Sequence, residues 1–258
     1  MQRYSEETIE WLEFDLLAGI PNLKHGVFLR TGGSSGAPFA SLNTSYLIGD
    51  CPKRVTANLA KITAHLTKQL SQAPKTIWGR GCHGTFLAEV NHLSETEILH
   101  CDGLLSKNVD IALLMKHADC QIALFYDPMN QCIANVHAGW RGSVQNIFAH
   151  TIEQMKGKFG TDPANLFVCI SPSLGPEKAE FVNYKQELPE EFWQFQVQAT
   201  YFDLWTISEY QLQNSGVLPH HIEIARLCTY CNPHDFFSYR REQVTGRHAT
   251  YIALTSSQ

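Results

Sequence analysis

A chain of 258 residues with 44% hydrophobic and 17% charged side chains can bury a core without disulfide or metal staples, which excludes a disordered segment and a disulfide scaffold. Its formal charge of −5, with no basic cluster longer than Arg240-Arg241, offers no field for nucleic acid. No apolar run reaches the roughly 20 residues that a membrane crossing needs, and MQRYSEETIEWLEF reads as no signal sequence, so a cytoplasmic protein with neither nucleic-acid nor membrane partner is expected.

In chain order, the first apolar run is GVFLRT, from Gly26 to Thr31. Asp50 and Pro52 then mark a helix start, and Val55, Leu59, Ile62 and Leu66 share one face of that helix. TFLAEV, DIALLM and CQIALFYD read as strands, most of them apolar throughout and so buried on both faces. DPMNQ, from Asp127 to Gln131, is a hairpin turn into QCIANVHA. After Gly142, the apolar positions Val144, Ile147, Phe148, Ile152, Met155 and Phe159 predict one helix, with Gly160 to end it. NLFVCI is the next strand, and Phe181 to Asp203 reads as an insertion or a loosely packed excursion. A third helix runs from Thr206 as N-cap to Gly216, followed by strands IEIARL and TYIAL. Without repeats or linkers, residues 1–258 read as one domain of the α/β (α+β) class, mixed β-sheets covered by helices in α-β-β-α layers.

The cysteines are scattered through apolar segments and read as reduced thiols; CTYC, holding Cys228 and Cys231, is expected to be buried and structural. Cys120 and His137 differ from these. Antiparallel pairing across the DPMNQ turn brings the start of the first strand beside the end of the second, so thiol and imidazole meet. In HAGWRG, Gly139 and Gly142 allow close approach, the helix near Ser143 turns its amides to the same corner, and Arg141 offers an anion a charged contact. A Cys-His pair admits either an activated thiol nucleophile or a metal site with one more ligand. His25, His83, His92, His100 and His117 all precede Cys120 as candidates. His83, in GCHGT, is the one set at a strand end between glycines, yet spacing alone leaves the choice open.

HGVFLRTGGSSGAPFASLNTSYLIGD, HGT at His83, DGLLS at Asp102, ADC at Cys120, HAGWRG at His137, DLW at Asp203, FFSYRR and TGRHA follow one another through nearly the whole chain. In this order they resemble the YfiH-like family, also called the laccase-domain or polyphenol oxidase family and described as purine nucleoside phosphorylases. The resemblance implies one zinc held by His83, Cys120 and His137, with an open fourth position that favours attack by water or polarisation of a base or oxyanion. It further implies phosphorolysis of adenosine, inosine, guanosine or methylthioadenosine, and deamination of adenosine. Arg30, Asn43, Arg141 and Arg240 are the candidates for phosphate or ribose contacts, and Asp119 is the candidate to orient a ligand or move a proton.

The chain departs from that pattern in two places. Glu177 and Lys178 stand in ISPSLGPEKAEF where paired cysteines are usual, and Gly81-Cys82 replaces Gln-Val before His83. Cys82 is not expected to share an ion with His83, because neighbours on a strand point to opposite faces. Two rival functions carry weight: a peptidoglycan-precursor editing amidase or Cys-His hydrolase, and a non-enzymatic nucleotide-binding protein. The chain contains no His-x-His array of the multicopper kind.

Overall fold

Strands that are apolar on both faces need cover from two sides, and the computed structural model, which describes residues 1–70, 74–90, 98–109 and 111–256, supplies it in four layers. Along the chain, β1 (Gln2–Glu6) and β2 (Ile9–Glu13) pair as a hairpin, followed by β3 (Leu23–Phe28) and α1 (Pro52–Gln69). Five strands come next: β4 (Lys75–Arg80), β5 (Leu87–Glu89), β6 (Ile98–His100), β7 (Gly103–Ser106) and β8 (Ile111–His117). The hairpin of β9 (Gln121–Asp127) and β10 (Cys132–Ala138) leads into α2 (Trp140–Val144) and α3 (Ile147–Phe159). The remainder is β11 (Phe167–Ile170), α4 (Tyr184–Glu187), β12 (Gln196–Gln198), β13 (Tyr201–Phe202), α5 (Leu204–Asn214), β14 (Ile222–Ile224), α6 (Tyr239–Glu242) and β15 (His248–Leu254).

One mixed sheet has the order β1-β2-β3-β15-β8-β4-β6, and the other β14-β11-β9-β10-β7-β5. Their inner faces meet in a shared core, where Leu113, Met115 and Ile252 lie with Ile122, Leu124 and Ile133. On the outside, Ile62 and Leu66 of α1 cover Trp78, Leu114 and Tyr251. Ile147, Phe148 and Ile152 of α3 do the same for Phe125, Ala134 and Val136 of the second sheet. The expected α-β-β-α layering is therefore present, with the sheets mixed.

Several boundaries differ from the sequence reading. The single helix expected after Gly142 is two, because Asn146 adopts φ +53° and its side chain caps α3 by accepting the Ala149 amide. Residues that tolerate the left-handed region and carry an acceptor can break and restart a helix in one step. The N-cap of α5 is Asp203 rather than Thr206; its Oδ1 accepts the amides of Trp205 and Thr206. GVFLRT leaves the sheet at Phe28, and TFLAEV and IEIARL contribute three strand residues each. The segment from Phe181 to Asp203 is not loose: Phe181, Leu188, Phe192 and Phe202 form an apolar cluster of their own with Leu174 and Ile207. His92 and Asp110, the first residue of DIALLM, lie outside the described residues.

The cysteines are all free, as expected. CTYC is less buried than its composition suggested, since Cys228 is half-buried and Cys231 is exposed.

Two histidines are locked neutral by what surrounds them. His25 Nε2 accepts the Phe14 amide at 2.8 Å, so protonation there would break a buried bond, and burial lowers its pKa to about 4. His117 donates from Nδ1 to the Cys120 carbonyl, the only role open toward an acceptor, and so accepts at Nε2 from the Thr250 hydroxyl; burial lowers it to about 3. Each group takes up protons more readily when unfolded, so its contribution is intact above pH 6.5 and is lost as the pH falls toward 4. At pH 5, protonation of unfolded His25 should cost the fold about 2 kcal/mol relative to pH 7.5. Urea unfolding at the two pH values should show this loss, and His25→Gln, which keeps an acceptor but cannot titrate, should recover about that amount.

Candidate metal centre

The register of the β9–β10 hairpin pairs Ala138 with Gln121 and His137 with Ile122. Cys120, one residue before β9, therefore lies beside the end of β10. Asp127 closes the turn by accepting the amides of Met129 and Asn130 at 2.8 and 3.1 Å. His83 arrives from the other sheet, on the turn after β4. The ligand atoms of His83, Cys120 and His137 all lie within 4.8 Å of one another, with His83 exposed, Cys120 half-buried and His137 buried. Spacing could not supply this convergence, because it depends on how the two sheets pack.

A residue without an assigned role in the sequence holds the group together. The Asp102 carboxylate accepts the consecutive amides of Cys82, His83 and Gly84 at 2.8 to 2.9 Å, and the Nδ1 of His137 at 3.1 Å. A carboxylate can only accept, so Nδ1 of His137 is a donor and Nε2 is the nitrogen turned toward Cys120, available to a metal once its proton is displaced. The turn itself is tight, with His83 at φ +61°. Asp119, beside the thiol, lies at φ +88°. Two glycines are required by close approach: a Cβ on Gly81 would lie 2.6 Å from His137 Nδ1, and one on Gly139 would lie 2.5 Å from His83 Nδ1. His117 supports the centre from behind through the Cys120 carbonyl, at 3.0 Å. Cys82, exposed on the turn, bonds the Arg80 carbonyl at 3.4 Å and is not part of the group, although the turn rather than strand alternation sets it aside.

Electrostatics follow from burial opposed by close charges. Burial would lower His137, but the charges of Cys120 and Asp102 outweigh it and hold the imidazole up to about 9. Asp102 lies below the usual carboxylate range despite its burial, because His137 and the turn amides donate to it. His83 is lowered by burial first and by His137 second. Two imidazoles and one thiolate within reach of one point are a chemically coherent donor set for a borderline transition metal, and they leave a tetrahedral position for another donor.

The group opens onto a cavity of about 630 Å³, a size suited to small-molecule ligands. Arg80, Lys116 and Arg247 line it together with Tyr46 and Tyr239, and among the described residues of its wall there is no Asp or Glu. His100 and His117, weighed in the sequence as ligands, are part of this wall; His25 lies elsewhere, against Phe14.

The sequence candidates for substrate contact occupy other places. Arg30 is spent on the loops, donating to the carbonyls of Ala40 and Pro233 and lying 3.3 Å from Glu242. Asn43 is fully buried; it accepts the amides of Ser45 and Arg247 and donates to Asp50. Arg240 reaches away to the carbonyls of Lys178 and Glu180. Arg141 is exposed and stacks on Trp140 at 4.2 Å, close enough to His83 to disfavour its protonation. The Asp119 carboxylate accepts the Thr229 hydroxyl and the Arg240 amide, both at 2.6 Å, and thereby fixes the turn that presents Cys120. Lys116 and Arg247 went unassigned in the sequence. Arg247 sits in TGRHA, a visible signal, whereas Lys116 is one polar residue in an apolar strand and carries none.

A family profile described as "Multi-copper polyphenol oxidoreductase laccase" matches residues 24–255. The chain belongs to this YfiH-like, laccase-domain family. A protein of Bacteroides thetaiotaomicron named "Purine nucleoside phosphorylase" is 30% identical over 248 residues, covering 89% of this chain and 90% of its own. "Purine nucleoside phosphorylase YfiH" of Escherichia coli is 28% identical, over 87% of this chain and 91% of its own. The crystal structure of YlmD from Geobacillus stearothermophilus superimposes with a TM-score of 0.83 at 26% identity, covering 98% of each chain. The profile's description names several coppers, whereas the described residues here gather one His-Cys-His group.

The Asp102 hub makes a definite demand. In Asp102→Asn the amide nitrogen must face either the Gly84 amide or the Nδ1–H of His137, donor against donor. The affinity for a divalent metal, measured against a chromophoric chelator, should fall about 10- to 100-fold. An unchanged affinity would remove Asp102 from the account.

Proposed function

We propose that this chain is a zinc-dependent purine nucleoside phosphorylase for adenosine, inosine, guanosine and methylthioadenosine, with adenosine deamination as a second activity of the same site. The observation that carries the reading is the convergence of His83, Cys120 and His137 on a cavity whose wall holds cations and, among the described residues, no carboxylate. The names of the relatives support it.

His83, Cys120 and His137 would hold the zinc, which when bound supplies Lewis acidity at an open coordination position. Phosphorolysis exchanges the bond from the sugar C1′ to the purine nitrogen for a bond from C1′ to a phosphate oxygen, and the purine leaves with the bonding electrons. The protein must therefore hold an oxyanion near the sugar and a planar base beside it. The cationic wall serves the first need, and the rings of Tyr46 and Tyr239 offer stacking surface for the second. Asp102 orients His137, and Asp119 holds the turn that carries Cys120. Arg30, Asn43 and Arg240 serve the site by fixing the loops around it, and Arg141 stands beside His83 as a contact for an incoming anion.

The test is elemental analysis together with adenosine turnover. Wild type should hold about one zinc per chain, and Cys120→Ser should lose most of it along with activity, because the thiolate supplies much of the affinity. Free adenine formed only with phosphate supports phosphorolysis, and inosine reports deamination. A protein that turns over cell-wall precursor after complete metal removal, yet fails after alkylation, would instead be a Cys-His hydrolase. One that binds nucleotide and converts nothing would not be an enzyme of either kind.

A further inference from the structure

Several cationic side chains away from the cavity are paired: Arg3, Arg30, Arg226 and Arg241 each lie within 3.3 Å of a carboxylate. Lys116, in the cavity wall, is not. Its ammonium rests over the Trp78 ring at 4.6 Å, and among the described residues it has no carboxylate partner. It projects from β8, a strand fixed between β15 and β4, which holds its backbone in the cavity wall. A half-buried lysine without a counter-charge is costly to keep, and an anion in the cavity would offset that cost.

Arg247 lines the same cavity and is held in place from several sides. Its backbone amide donates to Asn43, its carbonyl accepts from the Thr44 amide and hydroxyl, and its Nη1 donates to the carbonyls of Thr245 and Gly246. Those bonds leave Nε and Nη2, the two parallel donors on one edge of the guanidinium, for a ligand. Such an edge matches two oxygens of a carboxylate or phosphate. Arg247 is also near enough to Cys120 to respond to its charge, which places the guanidinium in the neighbourhood of the metal group.

We propose that Lys116 and Arg247 form the phosphate subsite of the cavity, Arg247 gripping two oxygens through Nε and Nη2 and Lys116 neutralising the charge from β8. The assignment rests on the phosphorylase reading above, and it moves the phosphate from the arginines that the sequence suggested to two residues that it did not. The lowering of the Lys116 pKa to about 8 by burial agrees with a site that gains an anion in use.

The test titrates inorganic phosphate into the metal-loaded full chain by calorimetry, using wild type, Lys116→Met, Arg247→Lys and, as control, Lys156→Gln on α3. Wild type and control should bind one phosphate per chain with equal affinity. Lys116→Met should bind at least about tenfold more weakly, the loss expected for a charge-assisted contact, and its KM for phosphate should rise by the same factor. Its thermal midpoint should stay level or rise, because a desolvated charge has been removed; a purely structural lysine would lower it. Should Lys116→Met fail to fold, Arg247→Lys, which keeps the charge and loses the fork, must show the weakened binding. Binding within about twofold of wild type in a folded variant overturns the subsite. Phosphate binding that depends on Lys116, in a protein that leaves adenosine intact, overturns the phosphorylase reading and keeps the subsite. Phosphate-dependent cleavage that Lys116→Met leaves unaltered does the reverse.

Discussion

A buried carboxylate is tolerable only when its lone pairs are filled, and Asp102 fills them with three consecutive backbone amides and the Nδ1–H of His137. That single group ties together the two halves of the centre. Through the amides it bends the turn after β4 and sets His83 in the left-handed region; through the imidazole it chooses the tautomer that leaves Nε2 for a metal. The Asp102 carbonyl adds a third tie by accepting the His137 amide at 2.7 Å. Cys120 is fixed separately, by the β9–β10 register and by Asp119 and His117 acting on the backbone beside it. The group is thus assembled from both sheets by hydrogen bonds of the protein itself, which would lower the cost of gathering three donors around a metal.

The charge pattern divides labour in the same way. Negative groups near the centre face the protein: Asp102 the turn amides and Asp119 the Thr229 hydroxyl and Arg240 amide. Positive groups face the cavity. Several signature residues act at one remove. Asn43, in SLN, does not reach the cavity wall but fixes the backbone of Ser45 and Arg247, which do. Arg30, in RTGG, gathers the loops at Ala40 and Pro233 and lies under the Phe237 ring at 4.7 Å.

How much of this could be read in advance depended on the range of the interaction. The layering, α1 and the β9–β10 hairpin were legible because periodicity, a proline at a helix start and an Asx turn are local signals. The Cys120–His137 approach followed from antiparallel pairing alone. The approach of His83 to this pair was legible only through resemblance, since His83 comes from the other sheet and no spacing rule relates sheets to each other. The break at Asn146 was masked by apolar residues that keep helical period across it, and the cap at Asp203 by a second plausible cap three residues on. Lys116 was invisible because one polar residue in a strand signals an exposed face as readily as a buried cation.

The central claim is that one ion is held by one sulfur and two imidazole nitrogens. X-ray absorption fine structure at the zinc edge of the loaded protein tests it most directly. The account predicts one sulfur near 2.3 Å and histidine nitrogens near 2.0 to 2.1 Å in a four-coordinate shell. A first shell without sulfur, or with two, would contradict it.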